Sequence, residues 1–546
     1  MFGIFSSPEK SRPRILIAEN DPKARVSYQT LLMYWDYEPV LAMGTGAKLL
    51  DDAKRQALEK RCALALIDLR LTDDYDEQDT SGLTLAEEIN DAVHSIILSG
   101  ADNSNFLRTL LKRDKDIAFI SKNDNRDAIK ETLDAEAAKV TAAKRKLVFE
   151  NPEILEEIAK SSLGQHTREY IDQIADVFAR LFPKAKNLRL EKLDLRPSSS
   201  NISTVPRPNS VVLKVYEDDY EPYIVKLARA EKIQKEVENY KKHIFRRLTD
   251  GFTARLERSA ILWDIGGASY SYIGKFDVKT FSSYYEENSI SNIEECLTSF
   301  FGGVWRKHYI QAHDKCNISL FSLYSDVWGN WYEKQVKGLS STDFTYLNAS
   351  NTKPGLPQPI DWFEKKIAEP TNDLSIVEKT RVGITHGDLH GDNMLVDNKK
   401  NVWVIDFERC GEGHLLQDFI ELEADIFNRL EEHNSNFPAY IKMCFTVLAQ
   451  KNIQGFNDLE IKSEDARIEK ALQTISILRS LAHQHTTITD AREYMLGLLF
   501  NMIFRAAMVR RISPEKSQRP LLLASLICHR LNHWDDPWNP AELNLI

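Results

Sequence analysis

The sequence predicts a multidomain chain: a doubly wound α/β unit at the front, then a mixed α+β unit that ends in helices. Three observations predict it. Residues 14–122 alternate short apolar runs with helical patterns, the mark of a parallel sheet covered on both faces. Residues 383–408, GITHGDLHGDNMLVDNKKNVWVIDFE, set a polar loop ahead of a short hairpin. From about residue 431 onward the pattern is helical. At 546 residues the chain exceeds what one core supports, so several domains are expected.

Composition narrows the function classes. Hydrophobic content of 42% and charged content of 28% are ordinary for a globular protein. A net charge of −10 argues against nucleic acid as a partner, because such proteins carry basic surfaces. Cys62, Cys296, Cys316, Cys410, Cys444 and Cys528 are scattered with no C-x-x-C pair, which reads as reduced thiols in a cytoplasmic protein. The opening MFGIFSSPEKSRPR lacks the apolar run of a secretory signal, and no stretch reaches the roughly 18 apolar residues of a membrane span. The expected location is the cytoplasm, with no membrane partner.

In the first 130 residues, Arg14–Ala18 is a strand ending at Glu19-Asn20-Asp21, followed by a helix over 25–34. Tyr37–Ala42, Ala63–Ile67, Ser95–Leu98 and Ile117–Ile120 are four more strands, and Leu83, Ala86, Ile89 and Val93 have helical spacing. Ligands gather at the carboxyl ends of such strands. The polar residues there are Glu19 and Asp21, Asp68, Ser99 and Lys122. Residues 131–185 read as a helical linker, suited to dimerisation, to signal relay, or to plain spacing.

Residues 186–280 predict a small strand-rich lobe. Leu188–Leu195 and Val211–Tyr216 flank Arg196–Ser203, a loop with serines and no glycine. Tyr223–Leu227 is a strand bearing Lys226. The following helix puts Ile233, Val237, Tyr240, Ile244 and Leu248 on one face. At 100° per residue Glu236 borders that stripe and Glu238 does not. Ile261–Ile265 and Tyr270–Ile273 read as the remaining strands, with a hinge over Ile273–Asp277.

Residues 281–546 form the larger lobe with a helical extension. The hundred residues before Gly383 carry no motif. In 383–408, Asn393 follows Asp388 by five residues, the spacing of the H-x-D-x-x-x-x-N loop used in phosphoryl transfer. Such chemistry needs a carboxylate to orient an attacking hydroxyl, and an amide oxygen with a second carboxylate to hold metal ions. Met394–Val396 and Val402–Ile405 read as a hairpin that brings Asn393 beside Asp406. His390 contacts phosphate or braces the turn, and His414 and Asp418 read as structural. Met495–Phe504 is apolar all round and predicts a buried helix.

HGDLHGDN followed by VIDFE resembles the aminoglycoside phosphotransferase and choline kinase branch of the protein-kinase-like fold. The resemblance implies a two-lobed domain that uses ATP and Mg²⁺. It makes Asp388 the catalytic base, and Asn393 and Asp406 the metal ligands. Lys226 would pair with the phosphates, Glu236 would partner Lys226, and the loop holding Ser199 and Ser200 would cover the nucleotide. The first 130 residues resemble a response-regulator receiver domain of flavodoxin-like fold. There Asp68 would accept phosphate, Glu19 and Asp21 would hold a magnesium ion, and Ser99 and Lys122 would contact the phosphoryl group. Phe119 is either that family's switch aromatic or core. Asn20, where that family has an acid, Asn123 where it has proline, and the long acidic loop 71–82 depart from its pattern.

The two resemblances together imply a receiver controlling an ATP-dependent phosphotransferase. A histidine kinase or phosphotransfer protein would act on Asp68, an unidentified acceptor hydroxyl would be the substrate, and a homodimer is one open arrangement. The alternative is a nucleotide-binding scaffold that does not turn over. A protein kinase is disfavoured, because no Ala-Pro-Glu-type activation segment follows Asp406.

Overall fold

The computed structural model describes residues 13–73, 76, 78–89, 93–100, 117–161, 168–192, 210–218, 222–245, 254–271, 278–337, 339, 356–369, 373–432, 436–454, 463, 465–510, 514–543 and 545. The chain divides into two compact units. The first holds Met1–Leu193, Arg207–Gln234 and Leu256–Tyr272, and the second holds Asp194–Pro206, Lys235–Arg255 and Ile273–Ile546.

The first unit opens with β1 (Arg14–Ala18), α1 (Pro22–Tyr34), β2 (Glu38–Leu41), α2 (Ala47–Glu59), β3 (Leu64–Asp68), α3 (Ser81–Ile89), β4 (His94–Ser99), β5 (Ala118–Ser121) and α4 (Arg126–Lys146). The strands pair in parallel in the order β2-β1-β3-β4-β5, the flavodoxin-like doubly wound order. Alternate side chains point to opposite faces. Ile15, Ile17, Leu64, Leu66, Ile96 and Leu98 join Leu32 of α1 and Leu133 of α4 on one side. Leu16, Ala18, Ala65, Ile67 and Ile97 join Leu49 of α2 and Leu85 of α3 on the other. Burial on both faces is why these strands read as continuous apolar runs.

The chain continues through β6 (Val148–Phe149), α5 (Glu153–Ser161), α6 (Arg168–Leu181), β7 (Asn187–Lys192), β8 (Ser210–Glu217), β9 (Tyr223–Arg229), α7 (Ala230–Asn239), β10 (Leu256–Leu262) and β11 (Ile265–Ser271). These strands form a second sheet in the order β10-β11-β9-β8-β7-β6. Residues 131–185 do more than link. β6 extends this sheet, and Ile158, Ile174, Val177, Phe178 and Leu181 of α5 and α6 share one core with Leu188, Leu213, Val225 and Leu262.

Ile261–Ile265, read as one strand, contains a turn instead. Leu262 pairs with Ile265, and Trp263 between them has φ 55°. Trp263 packs against both this core and that of the parallel sheet. Arg61 Nη2 stands 3.7 Å from Asp264 Oδ1, an exposed pair worth little by itself.

The second unit contains β12 (Lys279–Thr280), α8 (Phe281–Glu287), α9 (Ile290–Ser299), α10 (Arg306–Ile310), β13 (His313–Ser319), α11 (Leu320–Trp328) and α12 (Pro359–Phe363). It continues through β14 (Ile376–Thr385), β15 (Met394–Val396), β16 (Val402–Val404), β17 (Gly411–His414), α13 (Gln417–Glu432), α14 (Phe437–Ala449), α15 (Ala466–Thr486), α16 (Ala491–Arg510) and α17 (Gln518–Asn532). Two small sheets, β12-β15-β16 and β13-β14-β17, carry the loops of the site. β13, in the stretch where no motif was read, pairs antiparallel with β14 from His313 to Ser319. α16 is buried on most sides, as its all-apolar run predicts. Among the described residues no helix is long and apolar enough to cross a membrane.

Candidate active site

The predicted hairpin forms: Met394 pairs with Val404 and Val396 with Val402. Its open end ties the candidate residues together. Ile405 donates its N–H to the Asn393 carbonyl at 3.1 Å. The Asn393 side-chain N–H donates to the Asp388 carbonyl at 2.9 Å. Asn393 is buried, and its amide oxygen has no hydrogen-bond partner. The Asp388 carboxylate remains 37% exposed, open to a substrate.

Asp406 adopts φ 72° and ψ 72°, a left-handed conformation that costs a non-glycine residue about 1–2 kcal/mol. The segment after it is clamped. The Asn239 side-chain N–H donates to the carbonyls of Phe407 at 3.2 Å and Glu408 at 2.8 Å. The Phe407 ring meets Tyr240 edge-on, with centroids 5.4 Å apart. Strain held this way is characteristic of functional positions.

The loop from His386 to Gly391 lies along α13, whose acids at 418, 421 and 425 share one helix face. Asp418 accepts the His386 N–H at 2.9 Å and the Gly387 N–H at 3.1 Å. Glu421 accepts the Leu389 N–H at 2.6 Å, and Asp425 the Gly391 N–H at 2.9 Å. Burial pushes both the Asp418 and the Glu421 carboxyls well above the usual range. Backbone N–H bonds pull the first back in part. Asp418 thus braces the loop, as expected. His390 braces the turn: its Nδ1 accepts the Asp392 N–H at 3.3 Å.

His386 is fully buried and its Nε2 meets the Ile405 carbonyl at 3.0 Å. Burial drives its imidazole down to about 4, against the pull of Asp388 and Asp406. The neutral ring therefore donates to that carbonyl. Gly387 has φ 76°, and a Cβ there would stand 2.5 Å from the Arg409 carbonyl oxygen, so only glycine fits. Arg409 Nη1 lies 3.3 Å from Asp388 Oδ1. That carboxylate holds the Arg409 guanidinium above its ordinary value.

In the first unit a second polar cluster stands at the carboxyl ends of the parallel strands. Lys122 Nζ lies 2.9 Å from both Asp68 Oδ2 and Glu19 Oε2. Burial, then the Glu19 charge, raises the Asp68 carboxyl, and Lys122 opposes them. Lys122 is itself raised: burial works against its charge, but Asp68 and Glu19 outweigh that. Ser99 is buried at the end of β4, and its carbonyl accepts the Lys122 N–H at 2.8 Å. Phe119 packs against the α2–α3 side of the sheet.

Asp21 meets this cluster through its backbone, whose N–H donates to Glu19 Oε1 at 3.2 Å. It is the N-cap of α1, where its Oδ1 accepts the Lys23 N–H at 2.9 Å. Asn20 turns inward instead: its side-chain N–H donates to the Arg70 carbonyl at 2.8 Å, and its buried Oδ1 has no partner. Among the described residues no three His, Cys, Asp or Glu side chains gather around one point. At each candidate metal site a buried asparagine oxygen, Asn20 Oδ1 or Asn393 Oδ1, has no hydrogen-bond partner and suits an oxygen-seeking ion.

Residues 349–501, which include the loop and hairpin, match the family model described as ternary complex associated domain 9. Similar solved structures include a response regulator receiver protein from Sinorhizobium medicae, 14% identical, covering 24% of this chain and 98% of that one, with a TM-score of 0.19. Choline kinase LicA from Streptococcus pneumoniae is 12% identical over 58% of this chain and 89% of that one, with a TM-score of 0.33. An aminoglycoside phosphotransferase from Streptomyces rimosus is 13% identical over 49% of this chain and 89% of that one, with a TM-score of 0.25. No curated protein matches the chain.

Among the remaining predicted residues, Lys226 is buried on β9 in the first unit. Glu236 is fully buried in the second-unit part of α7, while Glu238 is exposed. Ser199, Ser200 and the hinge Ile273–Asp277 lie outside the described residues. Sequence reasoning passed over Asn239, Arg409, Glu421 and Asp425. The signal for the two acids was present as carboxylates three and seven residues after Asp418, on the same helix face.

Proposed function

We propose that the second unit belongs to an ATP-dependent phosphotransferase acting on a hydroxyl acceptor. One observation carries the reading: the buried Asn393 amide oxygen, left without a hydrogen bond, while its nitrogen is fixed to the carbonyl of Asp388. A buried polar atom without a partner is costly, and a bound cation satisfies it. Asn393 and Asp406 would hold Mg²⁺, which when bound offsets the charge of the nucleotide phosphates. Asp388 accepts the proton of the attacking hydroxyl. A new bond forms from that oxygen to the γ-phosphorus as the β–γ bridging bond breaks, and ADP leaves. The resemblance assigns Lys226 and Glu236 to nucleotide binding.

The front of the chain is read as a receiver. Asp68 takes a phosphoryl group from a histidine kinase or phosphotransfer protein, and Lys122, already on its carboxylate, stays on the phosphorylated side chain. Glu19, Asn20 and Asp68 would hold the receiver's Mg²⁺, in place of Asp21. The receiver regulates the small lobe through the ground they share, where Trp263 packs on both cores.

A second reading, a scaffold that binds nucleotide without turnover, is favoured by the ion pair that already occupies Asp388. The description matched over residues 349–501 speaks of association in a ternary complex, which fits a partner-bound scaffold as well. Calorimetric ATP titration with and without Mg²⁺ tests the main reading at its metal ligand. Wild type should bind more tightly with Mg²⁺, and Asn393→Leu should lose that difference. Metal-independent binding in both proteins would refute it.

A further inference from the structure

Asp388 is joined to its neighbours by two planar peptide groups, so two backbone dihedrals set the direction of its Cα–Cβ bond, from which the carboxylate reaches out. Both peptide groups lead to one carboxylate. The group after Asp388 donates the Leu389 N–H to Glu421 Oε2 at 2.6 Å. The group before it offers the Gly387 carbonyl, which accepts the indole N–H of Trp328 at 3.1 Å. That same indole N–H also donates to Glu421 Oε1 at 3.0 Å. Neither plane can turn without breaking a buried hydrogen bond.

We infer that Glu421, working through Trp328, is the positioning residue for Asp388: it aims the base at the acceptor hydroxyl without touching substrate. This rests on the phosphotransfer reading above. The chemistry calls for a carboxylate at 421. The side chain takes three N–H donors, from Leu389, Trp328 and Gln417, the last at 2.9 Å, and these favour its ionised form against the burial that raises its carboxyl. Glutamine would set its NH₂ against one of those donors. The charged or titratable groups acting on Glu421 come from every side: Asp418 on its own helix, Asp388 and Arg409 from the loops, and Tyr324 on α11. Asp418 and Asp425 hold His386, Gly387 and Gly391 independently, so the loop keeps its path when Glu421 alone is changed.

The test uses the full chain as Glu421→Gln, Trp328→Phe and the double variant. Phenylalanine keeps the stacking on Phe504 while removing the indole N–H, and serves if Glu421→Gln does not fold. Amide exchange at Leu389 and steady-state ATP turnover are measured together. Exchange at Leu389 should quicken in each variant. Turnover should fall roughly 10–100-fold, the effect of about 1 Å of misplacement, with KM for ATP held within about twofold. The double variant should be no worse than the weaker single one. Faster Leu389 exchange with turnover unchanged would overturn the inference, and so would a rise in KM alone. A wild type without turnover would count against the phosphotransfer reading by itself. Leu389 exchange would then decide the positioning alone: quicker in both variants supports it, unchanged refutes it.

Discussion

The guanidinium of Arg409 stands 3.3 Å from the carboxylate of Asp388, within the three-residue turn that follows Asp406. The pair is partly exposed, at 29% and 37%, so its contribution to stability is small. Its effect should lie in catalysis. Arg409→Ala should lower turnover roughly 10–100-fold by releasing the base from its orientation, while shifting the unfolding midpoint little. Arg409→Lys should recover only part of the loss, because an ammonium lacks the planar fork. Steady-state kinetics beside thermal melts check both. An increase in turnover on removing Arg409 would mean that the pair blocks the base.

Gly387 should not tolerate alanine. The positive φ costs about 1–2 kcal/mol, and a Cβ would meet the Arg409 carbonyl at 2.5 Å and Val327 Cγ1 at 2.7 Å. Overpacking adds about 1–3 kcal/mol. Gly387→Ala should therefore lose roughly 2–5 kcal/mol in urea unfolding. A loss below about 1 kcal/mol would mean that the loop shifts easily.

His386 predicts a pH dependence of definite sign. Its folded imidazole titrates near 4 against 6.5 when unfolded. As pH falls below 6.5, the unfolded chain takes up a proton that the folded chain refuses. The stability is complete above 6.5 and is lost progressively down to about 4, by about 3 kcal/mol in total. The raised carboxyls of Asp418 and Glu421 act in the opposite sense, so the comparison must be wild type against His386→Gln across this range. The difference should shrink as pH falls. NMR should show the His386 ring neutral at pH 5.5, and a protonated ring there would contradict the account.

The triad of Asp68, Glu19 and Lys122 predicts a compensating pair of changes. Removing one partner of a buried ion pair costs about 3–5 kcal/mol, and the partial exposure of Lys122 reduces this to roughly 2. Lys122→Met should lose that much, and Asp68→Asn in the same chain should restore part of it by removing the stranded charge. Denaturant unfolding of the four proteins gives the coupling directly. Additive effects would mean that the ion pair is incidental.

The site was legible where chemistry demands a residue type at a fixed spacing. Asp388, Asn393 and Asp406 come together because a two-strand hairpin leaves its ends adjacent, and that hairpin is written in the alternation of 394–405. The parallel sheet was legible because strands buried on both faces cannot be other than apolar. The turn at Trp263 was hidden, since a tight hairpin with positive φ is usually signalled by glycine or asparagine, and here burial of an indole against two cores outweighs that preference. Glu421 and Asp425 were hidden because a helix acid ordinarily faces water. Backbone N–H groups of a distant loop, joined for Glu421 by Trp328 and Gln417, make burial tolerable. The capping role of Asp21 was not read from the sequence, because its charge was weighed above its place just before a helix.

The central claim is that Asp388 is the base of an ATP-dependent phosphotransferase. ATP turnover of the full chain with Mg²⁺, wild type beside Asp388→Ala, tests it most directly. The account predicts measurable turnover in wild type and a loss of about 10²–10⁴-fold in the variant, with ATP binding retained. Equal turnover in the two proteins, or no ATP binding by wild type, would contradict it.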